Sequence, residues 1–169
     1  MVLPTLQLNH GLVPSTCIVD FGSFPPQRRS AIMGQVTKIE RKSFPSNEAF
    51  DFDAELKKKN TRMILAVKEG TPEEIVGYLI YARTRRLVLL HKICVLGKER
   101  RKGVGKCLMH SLYLLVKKGG CDSIHLWVDE GRKSARALYD SFGFRQIDRC
   151  LDYYASGRTG LKMQLSIGE

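Results

Sequence analysis

Val95-Leu96-Gly97-Lys98-Glu99-Arg100-Arg101-Lys102-Gly103-Val104-Gly105-Lys106 joins an apolar strand pattern to an amphipathic helix pattern through a basic, glycine-bearing loop. Glycine has no Cβ, so Gly103 and Gly105 let the backbone come close to a ligand. The first turn of the following helix offers N–H groups without intrahelical partners and the positive end of a dipole. Together these make an anion cradle, and a pyrophosphate suits it.

Downstream, Val104, Leu108, Leu112 and Leu115 share one helix face, and Lys117-Lys118-Gly119-Gly120 supplies cations and a left-handed cap at its end. Ile124, Leu126 and Val128 alternate with Ser123, His125 and Trp127 as a short strand. A helix carrying Ala135, Leu138, Tyr139 and Phe142 ends before Gly143, and Phe144 to Cys150 and Gly160 to Ile167 read as closing strands. Upstream, Met63 to Lys68, Ile75 to Arg83 and Leu87 to Val95 read as an antiparallel meander, with Gly70-Thr71-Pro72 as a turn.

Nearer the start, Ser15 to Asp20 reads as a strand. Ser23 and Pro25-Pro26 open a helix with Ile32, Val36 and Ile39 on one face, ending near Phe44-Pro45. A second helix is expected from a cap at Ser46 or Asn47 through Phe50, Ala54 and Leu56, with Lys57-Lys58-Lys59 as its solvated end. Residues 1–14 carry Pro4, Asn9, Gly11 and Pro14 without a sustained period and read as an arm ahead of a domain over 15–169.

With 169 residues, 43% of them hydrophobic, the chain can bury a core but is too short for two ordinary domains, so one α/β domain is expected. The formal charge of +11 favours phosphates, acidic proteins or nucleic acid without choosing among them. Cys17, Cys94, Cys107, Cys121 and Cys150 are odd in number and widely spaced, which indicates neither a disulfide frame nor a zinc site. The apolar runs Leu87 to Leu90 and Leu114 to Val116 are too short to span a bilayer, and the first residues lack a basic n-region. A soluble protein with no membrane partner is expected, in the cytoplasm or the nucleus.

Arg100-x-x-Gly103-x-Gly105, then one helix, one strand and Ala135-x-x-Leu138-Tyr139-x-x-x-Gly143-Phe144, resembles the GNAT acyltransferase superfamily. The resemblance covers roughly Met63 to Ile167. In addition, Ile39-Glu40-Arg41-Lys42-Ser43-Phe44-Pro45 is similar to the first-helix region of the branch that acetylates protein N-termini, including the ribosomal-protein alanine acetyltransferases. It implies an α/β fold with a mixed, mostly antiparallel sheet flanked by about four helices, and acetyl-CoA as acetyl donor without a metal. By that resemblance Ile93-Cys94-Val95 pairs with the pantetheine arm. The backbone amides of Arg100, Arg101, Lys102, Gly103, Val104, Gly105 and Lys106 hold the pyrophosphate, and Tyr139 protonates the leaving thiolate. A phenol with a pKa of about 10 stays protonated at neutral pH beside a thiol of about 8.5. Tyr139 as a core residue beside Ala135 and Leu138 is the other reading.

The general base departs from the pattern. Trp127 occupies the position where N-terminal acetyltransferases of this type often carry Glu or His, and indole cannot take a proton. His91 matches a histidine used as base in the arylalkylamine acetyltransferases and titrates near neutral pH. His125, on the face of Trp127, and water alone stay open as alternatives. Arg132 stands where many relatives have a cofactor-contacting Asn, and either reaches a CoA phosphate or points into water.

The expected reaction is direct attack of a primary amine on the thioester, with a strand N–H near Val95 stabilising the oxyanion. Making lysine neutral at pH 7 costs roughly 3.5 kcal/mol more than an α-amine, which suits weak base catalysis to an N-terminal amine. Asp152-Tyr153-Tyr154-Ala155-Ser156-Gly157, then Leu161-Lys162-Met163, is similar to the hairpin with which N-terminal acetyltransferases grip peptide backbone. Phe44, Pro45, Tyr153 and Tyr154 are therefore the expected acceptor contacts, with packing of the hairpin as the alternative for the tyrosines. A protein or peptide α-amine, or a protein lysine, is the expected acceptor. The rivals are small aryl or alkyl amines and a catalytically silent CoA-binding or nucleic-acid-binding module. Nucleic acid is disfavoured because the densest basic cluster coincides with the cradle. Oligomeric state stays open.

Overall fold

In chain order the protein forms β1 (Thr16–Asp20), α1 (Pro26–Ser43), α2 (Phe52–Leu56), β2 (Thr61–Lys68), β3 (Thr71–Thr84), β4 (Leu87–Val95), α3 (Val104–Lys118), β5 (Ser123–Asp129), α4 (Lys133–Ser141), β6 (Arg145–Ala155) and β7 (Arg158–Ser166). The computed structural model describes residues 16–168, so the expected arm over 1–14 lies outside the described residues. The strands make one seven-stranded sheet in the order β1-β2-β3-β4-β5-β7-β6. Two-residue connections join β2 to β3 and β3 to β4, a length that suits only antiparallel neighbours. The expected α/β class and mostly antiparallel sheet are both present. The described residues fall into two compact units, one holding residues 16–81 and 92–112, the other 82–91 and 113–168, with β3, β4 and α3 contributing to both.

In the first unit, β1 lies antiparallel to β2, from Thr16↔Lys68 to Asp20↔Ile64. Pro26 opens α1, where its missing N–H costs nothing. The helix buries Ile32, Val36 and Ile39, one helical stripe, in a core with Met63, Leu65 and Val67 of β2 and Ile75, Tyr78 and Ile80 of β3. Ile64 and Ala66, which alternate with that set, are buried as well, so β2 is covered on both faces. Each fully buried aliphatic side chain here contributes about 1.5–3 kcal/mol.

The second helix departs from expectation. Ser46–Glu48 is a single 3-10 turn, and α2 starts only at Phe52, where the Asp51 carboxylate accepts from the Ala54 amide at 3.0 Å. The cause is Glu40, whose side chain accepts from the Phe50 amide at 2.9 Å and draws that segment out of helical pairing. β3 also begins earlier than expected. The turn lies at Glu69-Gly70, where Gly70 takes a φ of +79°, and Thr71 already belongs to the strand.

In the second unit, β4 and β5 run parallel from Leu87↔Ser123 to Leu90↔Leu126, and β5 pairs with β7 antiparallel from Ser123↔Ser166 to Asp129↔Gly160. The α3 helix ends as expected: Gly120 is left-handed, its amide bonds Lys117 O, and the Cys121 amide bonds Val116 O. Its buried face is Val104, Leu108, Met109, Leu112 and Val116, whereas Leu115 is only half-buried, a correction by one position. The closing strands are longer than expected. β6 reaches Ala155, so Tyr153 and Tyr154 sit at a strand end, and the turn falls at Ser156-Gly157. No helix among the described residues is long and apolar enough to cross a membrane.

Candidate active site

The loop between β4 and α3 is built around two left-handed residues, Arg101 (φ +61°) and Gly103 (φ +84°). Left-handed residues alternating with right-handed ones are the backbone from which anion-binding concavities are built. Gly103 also caps α3, its carbonyl accepting from the Cys107 amide at 3.0 Å. The Arg100 side chain does not extend into the loop as a free cation. Its Nε donates to Val95 O at 3.0 Å and its Nη2 to Ser43 Oγ at 3.1 Å, which ties the loop to the ends of β4 and α1. Lys102 pairs with Glu99 at 3.2 Å on the surface, a contact of small energy. Arg101 and Lys106 are exposed, Val104 is buried, and Gly105 lies in the first turn of α3.

Close packing sets where that turn lies. A Cβ on Gly77 of β3 would stand 2.9 Å from Cys94 O and 3.4 Å from side-chain atoms of Val104 and Leu108. On β4, the Cys94 thiol is buried and its pKa is pushed up by burial, against the opposing pull of Ser43 and Arg100. Ile93, Cys94 and Val95 therefore offer backbone rather than reactive side chains. The ladder between β4 and β5 stops at Leu90↔Leu126, although β4 runs on to Val95.

The segment after α1 carries Phe44 and Pro45 and is pinned by residues that sequence reasoning did not single out. Glu40 is 3% exposed. Its oxygens accept from the Phe50 amide, from Tyr78 Oη at 2.9 Å and from Lys92 Nζ. Burial, then Cys94 and Glu40, drive the Tyr78 hydroxyl far above the ordinary phenol range, so it remains a donor. With its oxygens committed in this way, Glu40 is not a general base. The one local signal was a charged residue four positions after Val36, on an otherwise apolar stripe.

In the second unit Tyr139 is 6% exposed, its ring 5.6 Å from that of Phe144. Burial pushes its hydroxyl above the ordinary phenol value, and the Arg132 charge opposes this without cancelling it. Arg132 is the N-cap of α4, its amide donating to Asp129 O at 3.0 Å, and its charge also acts on the Asp129 carboxylate. Burial pushes the Asp129 pKa up, but the Gly131 amide and then Arg158 and Arg132 outweigh it and hold it below its usual 3.8. The stabilisation is present above that value and is lost as pH falls through the depressed one. Asp129, Arg132 and Arg158 line a polar cavity of about 530 Å³.

His91 is exposed on β4, and His125 is half-buried opposite Gln164. Burial and the Lys162 charge hold His125 below 6.5, so it is neutral at neutral pH. Trp127, on the same face, stacks on Tyr153 with ring centroids 4.3 Å apart and planes 13° from parallel. Tyr154 meets Tyr153 edge-on at 4.9 Å, and Arg158 lies 5.5 Å over the Tyr154 ring.

This aromatic group depends on Gly160. A Cβ there would lie 2.7 Å from Tyr153 Cγ and 2.8 Å from its Cβ, atoms that cannot swing aside. Gly160→Ala is expected to cost about 1–3 kcal/mol and to unstack Tyr153. Trp127 is the chain's single tryptophan, so its fluorescence reads the change directly. An unchanged emission spectrum in Gly160→Ala would refute the packing.

The chain matches the family model described as acetyltransferase (GNAT) family over residues 33–144. It is similar to N-alpha-acetyltransferase 30 of Xenopus laevis, 31% identical over 98 residues, which are 55% of this chain and 36% of that protein. The match thus spans only about a third of that relative's length. An N-alpha-acetyltransferase of Sulfurisphaera tokodaii is 28% identical over 143 residues, covering 76% of this chain and 84% of the relative. Among solved structures, a NatC complex bound to Gag peptide and CoA shares the fold with a TM-score of 0.75 at 19% identity, over 91% of this chain and 99% of the other.

Proposed function

Because the chain belongs to the acetyltransferase (GNAT) family, we propose that it transfers an acetyl group from acetyl-CoA to the α-amine of a protein or peptide N-terminus. The observation that carries this reading is the cradle: left-handed Arg101 and Gly103 in the loop that leads from β4 into α3. Its amides are a fit for a pyrophosphate, which needs several N–H donors and a positive dipole end. The acceptor class is supported by the names of the N-alpha-acetyltransferases it resembles, and the donor by the CoA in the NatC complex.

Acetyl-CoA supplies an activated thioester. The amides from Arg101 to Lys106 would hold the diphosphate, and the backbone of Ile93 to Val95, which lies past the last β4–β5 pair, would hydrogen-bond the amide arm. A strand N–H near Val95 stabilises the oxyanion formed when the amine attacks. Tyr139, kept protonated by burial, gives its proton to sulfur as the C–S bond breaks. The amine's proton leaves through water toward His91 or His125. A base this weak is adequate for an α-amine with a pKa of about 7.8, part of which is already neutral. Phe44, Pro45, Tyr153 and Tyr154 contact the acceptor, and Arg132 favours negative charge on the cofactor.

The test is incubation of the protein with acetyl-CoA and a mixed pool of free-N-terminus peptides, internal-lysine peptides and small aryl and alkyl amines, followed by mass spectrometry. Acetylated peptide α-amines are expected. Acetylation confined to small amines would replace the peptide reading, and no transfer to any member of the pool would refute it.

A further inference from the structure

The Phe44 and Phe50 rings pack against the core, but between them Pro45, Ser46, Asn47 and Ala49 are exposed. Such segments open easily unless something pins them. Here one ion pair does so at several points, its Glu40 end buried and its Lys92 end half-buried. The Glu40 side chain takes the Phe50 amide, and its backbone carbonyl takes the Phe44 amide at 2.9 Å. Lys92, on β4, bonds the Glu40 carboxylate and donates to Glu48 O at 2.5 Å. Its ammonium also lies 4.0 Å from the Phe44 ring centroid and 5.9 Å from that of Phe50, a cation–π contact on each ring. Both ends and the middle of the segment therefore converge on one pair of side chains that are 52 residues apart.

A buried ion pair is a costly way to fill space, since apolar residues of like volume do so at least as well. What this pair adds is a fixed set of hydrogen bonds to the backbone of the segment. We propose that Lys92 and Glu40 are positioning residues for the acceptor, holding the Phe44–Phe50 segment in one conformation and so setting acceptor binding without setting cofactor binding. This rests on the functional reading above, in which Phe44 and Pro45 contact the acceptor.

Lys92→Met alone strands the Glu40 charge in the core and invites unfolding, so the paired variant Glu40→Gln/Lys92→Met carries the test. Gln keeps an oxygen for the Phe50 amide or Tyr78 Oη, while the bonds from Lys92 to position 40 and to Glu48 are gone. The acceptor-peptide KM is expected to rise about tenfold or more, with the acetyl-CoA KM within about twofold of the parent. Hydrogen exchange at the Ala49 and Phe50 amides is expected to accelerate. An acceptor KM equal to the parent's, or equal rises in both KM values, would overturn the proposal. If the unmodified protein itself acetylates no amine, the functional reading fails and this inference falls with it, a case distinguished because the parent and not the variant is then silent.

Discussion

Tyr139→Phe lowers the turnover number by about two to four orders of magnitude, the range typical for loss of a positioned general acid, and leaves acetyl-CoA affinity within about twofold. The substitution removes one oxygen and keeps the ring, so the contact with Phe144 survives and the fold is not at issue. Burial holds the hydroxyl pKa above the ordinary phenol value, so the acid form is present throughout the neutral range. The pH profile of the variant should therefore keep the limbs of the parent at a lower plateau. Pre-steady-state and steady-state rates against pH check both points, and an unchanged turnover number would remove Tyr139 from the reaction.

Gly103→Val has the opposite signature. At a φ of +84° an L-residue is strained by roughly 1–2 kcal/mol, and a β-branched one more. Relief comes only by moving the backbone that both caps α3 and orients the loop amides. Acetyl-CoA affinity by calorimetry is expected to fall about tenfold to a hundredfold, with the turnover number at saturating cofactor far less affected. Val at this position with parental affinity would show that the loop does not hold the diphosphate. Arg101 adopts the same left-handed region with a side chain, at a conformational cost that only a constrained loop sustains.

Period and caps carried most of the fold. The stripe of α1, the alternation of β5 and the Gly120 cap of α3 depend on neighbours within a few residues, and the structure follows them. What went unread depends on partners far along the chain. The second helix starts late because Glu40 claims the amide of Phe50, ten residues away, and nothing near Ser46 announces that. Trp127 cannot serve as a base and is explained only by its stack on Tyr153 of β6, whose ring lies over Gly160 of the intervening β7. The glycine-bearing loop from β4 to α3 was legible because it is one continuous stretch of sequence. The Lys92–Glu40 pair was not, because two elements supply it.

The most direct test of the account uses one peptide bearing both a free N-terminal amine and an internal lysine, incubated with acetyl-CoA and this protein, then fragmented in the mass spectrometer to locate the acetyl group. An acetyl group on the α-nitrogen is expected, with the lysine unmodified. Acetylation of the lysine alone, or an unmodified peptide in a reaction where small amines are acetylated, would contradict it.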